Sequence, residues 1–176
     1  MTSKEDTMDG SKPIVLIGFM GVGKTSLGKK LAKKLNWGFI DTDKWIEKKE
    51  GKSISQIFKE SGEAYFRGLE RDLVLEFKNI QNTVIATGGG LPCFHDNMNQ
   101  LNELAVTIYL RKEASQLYTH LKNIKASRPL IANLNDDELY SYIEHKLIER
   151  EKYYHQAQYI ILADRNALDK IMDNIL

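Results

Sequence analysis

Gly18-Phe19-Met20-Gly21-Val22-Gly23-Lys24-Thr25 decides the fold of this chain. These residues fit G-x-x-x-x-G-K-[ST], a pattern that carries meaning only between a strand and a helix. Both flanks are present. Pro13-Ile14-Val15-Leu16-Ile17 is short, apolar and β-branched like a buried strand, and Leu27, Leu31, Ala32 and Leu35 recur at helical spacing behind the loop. Glycines let successive N–H groups turn inward, and a helix that starts there adds free N–H groups and the positive end of its dipole. The natural guest is phosphate. Gly21, Val22, Gly23, Lys24, Thr25 and Ser26 form the expected nucleotide-binding run; Lys24 reaches the β- and γ-phosphates, and the Thr25 hydroxyl is a ligand for Mg²⁺. A turn that merely joins strand to helix explains neither the Lys-Thr pair nor its flanks.

Working outward, Asn36 and Gly38 end the first helix, and Trp37-Gly38-Phe39-Ile40 reads as a second strand that delivers Asp41-Thr42-Asp43 at its C-terminal end. A helix is expected over 44–49, stopped by Gly51. Ser53-Ile54-Ser55-Gln56 has the form of a capping box that opens a short helix through Phe58. Ser61-Gly62 separates it from a longer one whose Phe66, Leu69, Leu73 and Phe77 make an apolar stripe with Arg67 beside it. Thr83-Val84-Ile85-Ala86-Thr87 is the next buried strand and runs into Gly88-Gly89-Gly90. Three glycines in a row are costly in backbone entropy, so the chain must need backbone there without side chains.

Residues 105–110 form a further strand and 114–121 a helix. The stretch 122–137 loses periodicity and contains Ser127-Arg128-Pro129-Leu130, which predicts a mobile loop. Leu139, Ile143, Leu147, Arg150 and Tyr154 follow at steps of three or four on a long helix, which places Arg150 on its inward stripe, where a charge without a partner is costly. Residues 159–162 supply a fifth strand, and Leu168, Ile171, Met172 and Ile175 mark a closing helix. Five strands alternating with helices predict a three-layer α/β/α domain over 13–176, built on a five-stranded parallel sheet whose functional loops gather at the strands' C-terminal ends.

Composition narrows the function. With 25 basic and 24 acidic side chains among 176 residues, no overall charge draws the chain to nucleic acid or an anionic membrane. The single cysteine and four scattered histidines offer neither a disulfide framework nor a structural zinc site. The polar stretch 1–12 reads as a disordered tail with no secretory core, and no apolar run reaches membrane-spanning length, so a cytoplasmic location is expected.

A GTPase would carry a base-reading Asn-Lys-x-Asp segment, which is absent. The strand over 107–110 ends in Arg111 and not in the acidic Mg²⁺ partner of a motor ATPase. The acidic strand end is Asp41-Thr42-Asp43. Carboxylates that alternate on an extended segment can take different partners, one holding Mg²⁺ through water and the other accepting a substrate hydroxyl. That division suits a small-molecule kinase. Two arginines in addition match an acidic substrate, since a planar guanidinium grips a carboxylate through two hydrogen bonds.

The Gly18 to Thr25 loop, Asp41-Thr42-Asp43, Phe66-Arg67, Gly88-Gly89-Gly90, Arg128-Pro129-Leu130 and Arg150 with Tyr154 resemble, in order and at compatible spacing, the shikimate kinases. The resemblance implies a phosphate-loop kinase of nucleoside-monophosphate-kinase type with a mobile lid, in which ATP donates its γ-phosphate to the 3-hydroxyl of shikimate. It implies that Asp43 binds the reacting hydroxyl as candidate base, and that Asp41 holds Mg²⁺ through water. Arg67 and Arg150, with backbone groups of Gly88, Gly89 and Gly90, would grip the shikimate carboxylate. Arg128 would descend with a lid over 122–137 and act beside Lys24 on the transferring phosphate. Residues 44–70 would form the substrate-binding region, with Phe58 and Phe66 as walls for the ring. The default state is a monomer.

The chain departs from that family in having only Lys122 and Lys125 near Leu121, where an extra arginine often stacks on adenine. Two readings compete: a kinase for another small hydroxylated acid such as gluconate, and a silent kinase-like module that binds a partner protein.

Overall fold

The computed structural model describes residues 11–128 and 130–176. The expected tail lies outside the described residues over 1–10. Ser11 and Lys12 are tied to the body: the Ser11 N–H donates to Asn82 Oδ1 and its carbonyl accepts from the Asn82 N–H, while the Lys12 ammonium donates to the Glu103 carbonyl.

In chain order the elements are β1 (Ile14–Ile17), α1 (Lys24–Leu35), β2 (Gly38–Asp41), α2 (Thr42–Glu50), α3 (Ile54–Glu76), β3 (Thr83–Ala86), α4 (Asn97–Leu104), β4 (Val106–Arg111), α5 (Ala114–Ile124), α6 (Asp136–Tyr154), β5 (Tyr159–Leu162) and α7 (Ala167–Asn174). The five strands form one all-parallel sheet in the order β2-β3-β1-β4-β5, as the alternation of strands and helices requires. β1 is central, and Ile14, Val15, Leu16 and Ile17 are all buried, the signature of a strand covered by helices on both faces. The order reverses at β1, so the loops after β1, β3 and β2 converge beside that switch point.

Local chemistry explains the element ends. Asn36 closes α1 in the left-handed conformation, with its N–H on the carbonyls of Ala32 and Lys33. α2 begins at Thr42, two residues before the sequence reading placed it, because Asp41 and not Asp43 caps it: Asp41 Oδ1 accepts from the Lys44 N–H. The Ser53/Gln56 capping box forms as expected at the start of α3. The separation expected at Ser61-Gly62 is a break inside α3, where Gly62 has φ 82° and ψ 171°, a region open in practice to glycine alone.

Two parts of the chain differ from expectation. Helix α4 was missed, because 91–104 mixes buried Met98 and Leu101 with a buried Asn97 and shows no clean apolar period. The loop expected over 122–137 is shorter. α5 continues to Ile124, Lys125–Ser127 is a 3-10 turn, and α6 starts at Asp136 behind an Asn135/Glu138 capping box. Ile131 anchors the intervening loop in the core, Lys122 pairs with Asp136 at 2.8 Å, and the Lys125 ammonium holds the Leu134 carbonyl at 2.7 Å.

Gly62→Ala is expected to destabilise the fold by ~1–3 kcal/mol, since a Cβ there forces φ out of the positive range. Urea unfolding measures it, and an unchanged midpoint would show that the break does not need glycine.

Candidate active site

The phosphate loop joins β1 to α1 with Gly18, Gly21 and Gly23 all at positive φ. α1 opens at Lys24 without a side-chain cap, which leaves its first N–H groups free for an anion. The Lys24 ammonium folds back onto the loop and donates to the carbonyls of Gly18 at 2.6 Å and Phe19 at 2.8 Å. Burial lowers its pKa to about 7, with Arg150 and Arg128 adding to the depression and Asp43 opposing it. A negative charge beside the side chain would raise that value again. From α5, His120 and Leu121 lie over the loop, with Leu121 Cδ2 only 2.7 Å from where a Cβ on Gly21 would stand.

Thr25 at the head of α1 meets the end of β2, its hydroxyl donating to Asp41 Oδ2 at 2.8 Å. Two hard oxygen donors thus sit together at the mouth of the phosphate loop, as a Mg²⁺ site requires. Among the described residues no group of three or more His, Cys, Asp or Glu side chains could hold a metal ion. A metal held by these two would take its remaining ligands from water and phosphate, the usual habit of Mg²⁺. Asp43, in the first turn of α2, points to the same space. Burial, then the charge of Asp41, raises its pKa, while Lys24 and Arg128 pull the other way.

The residues 88–90 bring these parts to the arginines. None of the three glycines has positive φ, so their purpose is room and not torsion. A Cβ on Gly88 would stand 2.7 Å from Asp43 Oδ1, one on Gly89 would stand 3.2 Å from Arg150 Nη1 and 3.3 Å from the Met20 nitrogen of the phosphate loop, and one on Gly90 would stand 2.7 Å from Arg67 Nη1. Thr42 Oγ1 accepts from the Gly88 N–H at 2.9 Å, and the Tyr154 hydroxyl donates to the Gly89 carbonyl at 2.5 Å, fixing the turn from α2 and from α6.

Arg67 is 9% exposed on the inner side of α3. Its Nη1 donates to Glu70 Oε2 at 2.7 Å, and its Nε and Nη2 both donate to Glu63 Oε1 at 3.2 Å. Glu70 is buried to 1% exposure, and its Oε1 is the buried side-chain oxygen without a hydrogen-bond partner among the described residues. That oxygen lies 3.3 Å from the Cβ position of Gly88, on the side of Asp43. Burial pushes Glu70 up to about 7 despite the arginine beside it. Arg150 is half-buried with its guanidinium 5.6 Å above the Phe19 ring. Arg128 is exposed, and its charge is felt at both Lys24 and Asp43.

Beside Arg67 opens a cleft of about 380 Å³ lined by Glu63, Ala64, Arg67, Phe94 and His95. Its aromatic wall is Phe94. Phe58 and Phe66, expected to wall the substrate ring, pack on each other at 4.8 Å, Phe58 half-buried and Phe66 4% exposed. Phe66 belongs to the apolar stripe that α3 turns to the core. The structure thus brings Lys24, Asp41, Asp43, Gly88–Gly90, Arg67 and Arg150 together. It adds Glu70 and Phe94, and gives Thr42 and Tyr154, already within the quoted motifs, the task of holding the turn. The spacing of Glu70, three residues after Arg67 on a helix, could have marked it in advance.

A strand, a phosphate loop and a helix, a carboxylate pair at the next strand end and a cluster of inward arginines define a phosphate-loop kinase. The shikimate kinase family model matches residues 20–176. A shikimate kinase of Bacteroides thetaiotaomicron is 46% identical over 151 residues, 86% of each chain, and one of Caldanaerobacter subterraneus is 40% identical over 165 residues, 94% of each. Among solved structures, shikimate kinase from Bacteroides thetaiotaomicron superposes with a TM-score of 0.84 at 43% identity, covering 90% of this chain and 93% of that one. Shikimate kinase from Acinetobacter baumannii in complex with shikimate gives 0.82 at 30% identity, covering 96% and 92%. The chain belongs to the shikimate kinase family. A gluconokinase at 15% identity and TM-score 0.55 shares the fold alone.

The Lys24 shift has a definite sign. A lysine held at about 7 when folded and at its usual 10.5 when unfolded leaves the unfolded chain with more protons between those values, so stability from this group rises with pH across that window. Lys24→Met removes the buried cation. Its melting temperature should exceed wild type by more at pH 7 than at pH 9; a gap that does not narrow with pH would contradict the burial cost.

Proposed function

We propose that this protein transfers the γ-phosphate of ATP to the 3-hydroxyl of shikimate, giving shikimate 3-phosphate and ADP, a step of aromatic amino-acid synthesis. The observation that carries the reading is the glycine turn, where Asp43, Arg150 and Arg67 each stand within about a van der Waals contact of one glycine and the phosphate loop touches the middle one. A hydroxyl acceptor, a carboxylate grip and a phosphate cradle therefore share one small space.

Chemistry follows from the arrangement. Phosphoryl transfer is chiefly positioning and charge stabilisation. The loop N–H groups and Lys24 hold the phosphates. Asp43, whose raised pKa marks a carboxylate short of solvent, accepts the proton of the reacting hydroxyl and orients it in line with the γ-phosphate. Arg67 and Arg150 bind the substrate carboxylate at the far end, which fixes which hydroxyl faces Asp43. The orphaned Glu70 Oε1 faces this space and is satisfied by a hydroxyl of the substrate or a water it holds. Arg128, on the loop between α5 and α6, adds positive charge at the transferring group and closes with that loop as a lid over the site. Thr25 and Asp41 would hold Mg²⁺, which when bound neutralises phosphate charge. The protein works as a monomer in the cytoplasm, and no helix among the described residues is long and apolar enough to cross a membrane.

ADP release with Mg-ATP, measured with shikimate, with gluconate and without acceptor, tests the reading; turnover is expected with shikimate only. Turnover with gluconate alone would assign another acid, and silence with every acceptor in a protein that binds ATP would leave a kinase-like module. Within that assay Asp43→Asn should lower kcat by roughly 10²–10⁴-fold with ATP binding kept. Arg67→Ala should weaken shikimate by about 2–5 kcal/mol, the cost of truncating a desolvated charge pair, with kcat less affected. Near-wild-type kinetics in either variant would remove that residue from its role.

A further inference from the structure

The guanidinium of Arg67 has five N–H groups, and three are already engaged: Nε–H and one on Nη2 by Glu63, and one on Nη1 by Glu70. That leaves one N–H on each terminal nitrogen. They belong to the two terminal nitrogens, through which a guanidinium can take a carboxylate bidentately. Gly90 gives them room, since Nη1 and Nη2 are 2.7 and 2.8 Å from its Cβ position. What remains to be fixed is the plane of the fork. The Arg67 Cζ lies 4.0 Å from the centroid of Phe94, while Phe66 is more distant at 5.2 Å.

We propose that Phe94 is a positioning residue for the substrate carboxylate: its ring covers one face of Arg67, holds the guanidinium flat against the glycine turn, and leaves the two free N–H groups open to the cleft. The inference rests on the assignment of Arg67 as the carboxylate-binding arginine. Four features place Phe94 for this work. It lines the cleft beside Arg67, so it meets solvent and the entering acid and is not a core residue. It terminates the 3-10 turn Leu91–Cys93, whose N–H groups of Leu91 and Cys93 bond the carbonyls of Gly88 and Gly90, so the ring is carried by the same turn that makes room for the fork. Its carbonyl accepts from the Asn97 N–H, and Asn97 Nδ2 donates to the Leu91 carbonyl, which locks the turn to α4. Finally, an aromatic face attracts a planar cation electrostatically while removing water from one side of it, something an aliphatic side chain of similar bulk does not do. Two carboxylates hold the fork by its edges and one ring holds it by its face.

The test is steady-state kinetics on the full chain with Phe94→Leu, Phe94→Tyr and Arg67→Ala. Phe94→Leu keeps an apolar cover and loses the π face; it should raise the shikimate KM roughly 3- to 20-fold, with kcat, the ATP KM and the melting temperature unchanged. Phe94→Tyr should restore the wild-type KM. An unchanged shikimate KM in Phe94→Leu overturns the inference. So does a rise shared by the ATP KM or accompanied by a fall in melting temperature, which would mark a structural side chain, and so does a Tyr variant that behaves like Leu. Arg67→Ala keeps the two readings apart. If it leaves the shikimate KM unchanged, the assignment of Arg67 fails and the inference with it; if it raises KM while Phe94→Leu does not, only the role of Phe94 falls.

Discussion

Three missing methyl groups govern this site. At Gly88, Gly89 and Gly90 no φ is positive, yet a Cβ at the first or third would press into the carboxylate of Asp43 or the guanidinium of Arg67, and one at the second would crowd Arg150 and the phosphate loop. Because the turn follows β3, which lies between β1 and β2, these contacts come from every element around the switch point of the sheet. The phosphate loop arrives from β1, the carboxylates from the junction of β2 and α2, one arginine from α3 and the other from α6. Tyr154 and Thr42 then hold the turn by hydrogen bonds from opposite sides. Close approach of backbone to charge lets so many ionic groups converge in a small volume.

Convergence has an electrostatic cost that the structure carries openly. Lys24 is pushed down to about 7 and Glu70 up to about 7, each mainly by burial, and the Glu70 oxygen nearest Gly88 has no partner. Such groups destabilise the free protein and are stabilised by a guest that supplies what they lack. On the proposed reading, phosphate oxygens would replace the two carbonyls that Lys24 now holds, and a hydroxylated acid would bring a hydroxyl near Glu70 and a carboxylate to the fork of Arg67. The same low-dielectric surroundings strengthen every contact once the ligand has displaced water.

Much of this was legible in the sequence because it rests on local pattern. The strand-loop-helix at 13–35, the acidic strand end at Asp41 and Asp43, the glycine run and the helical spacing of Arg67 and Arg150 each report a constraint within a few residues. Features set by tertiary contact were not legible. Nothing in Leu91-Pro92-Cys93-Phe94 announces an aromatic face over Arg67, because the partner lies on another element. The burial of Phe66 follows from the apolar stripe of its helix, while its ring contact with Phe58 is set by the fold. Helix α4 lacks a clean period, and the loop after α5 was drawn too long although Asn135-Asp136-Asp137-Glu138 already had the form of a helix start.

The break at Gly62 divides α3 into pieces of unequal standing. The part from Ile54 to Ser61 is too short to persist as an isolated helix, and it is tied down chiefly by its capping box and by Ile57, its one fully buried side chain. The part beyond Gly62 carries Phe66, Arg67, Glu70, Leu73 and Val74, all buried. Hydrogen exchange should therefore find two cooperative units in one continuous helix, the first opening at a small fraction of the global unfolding free energy. The segment 54–61 can then unravel and reform while Arg67, on the buried part of the helix, keeps its seat.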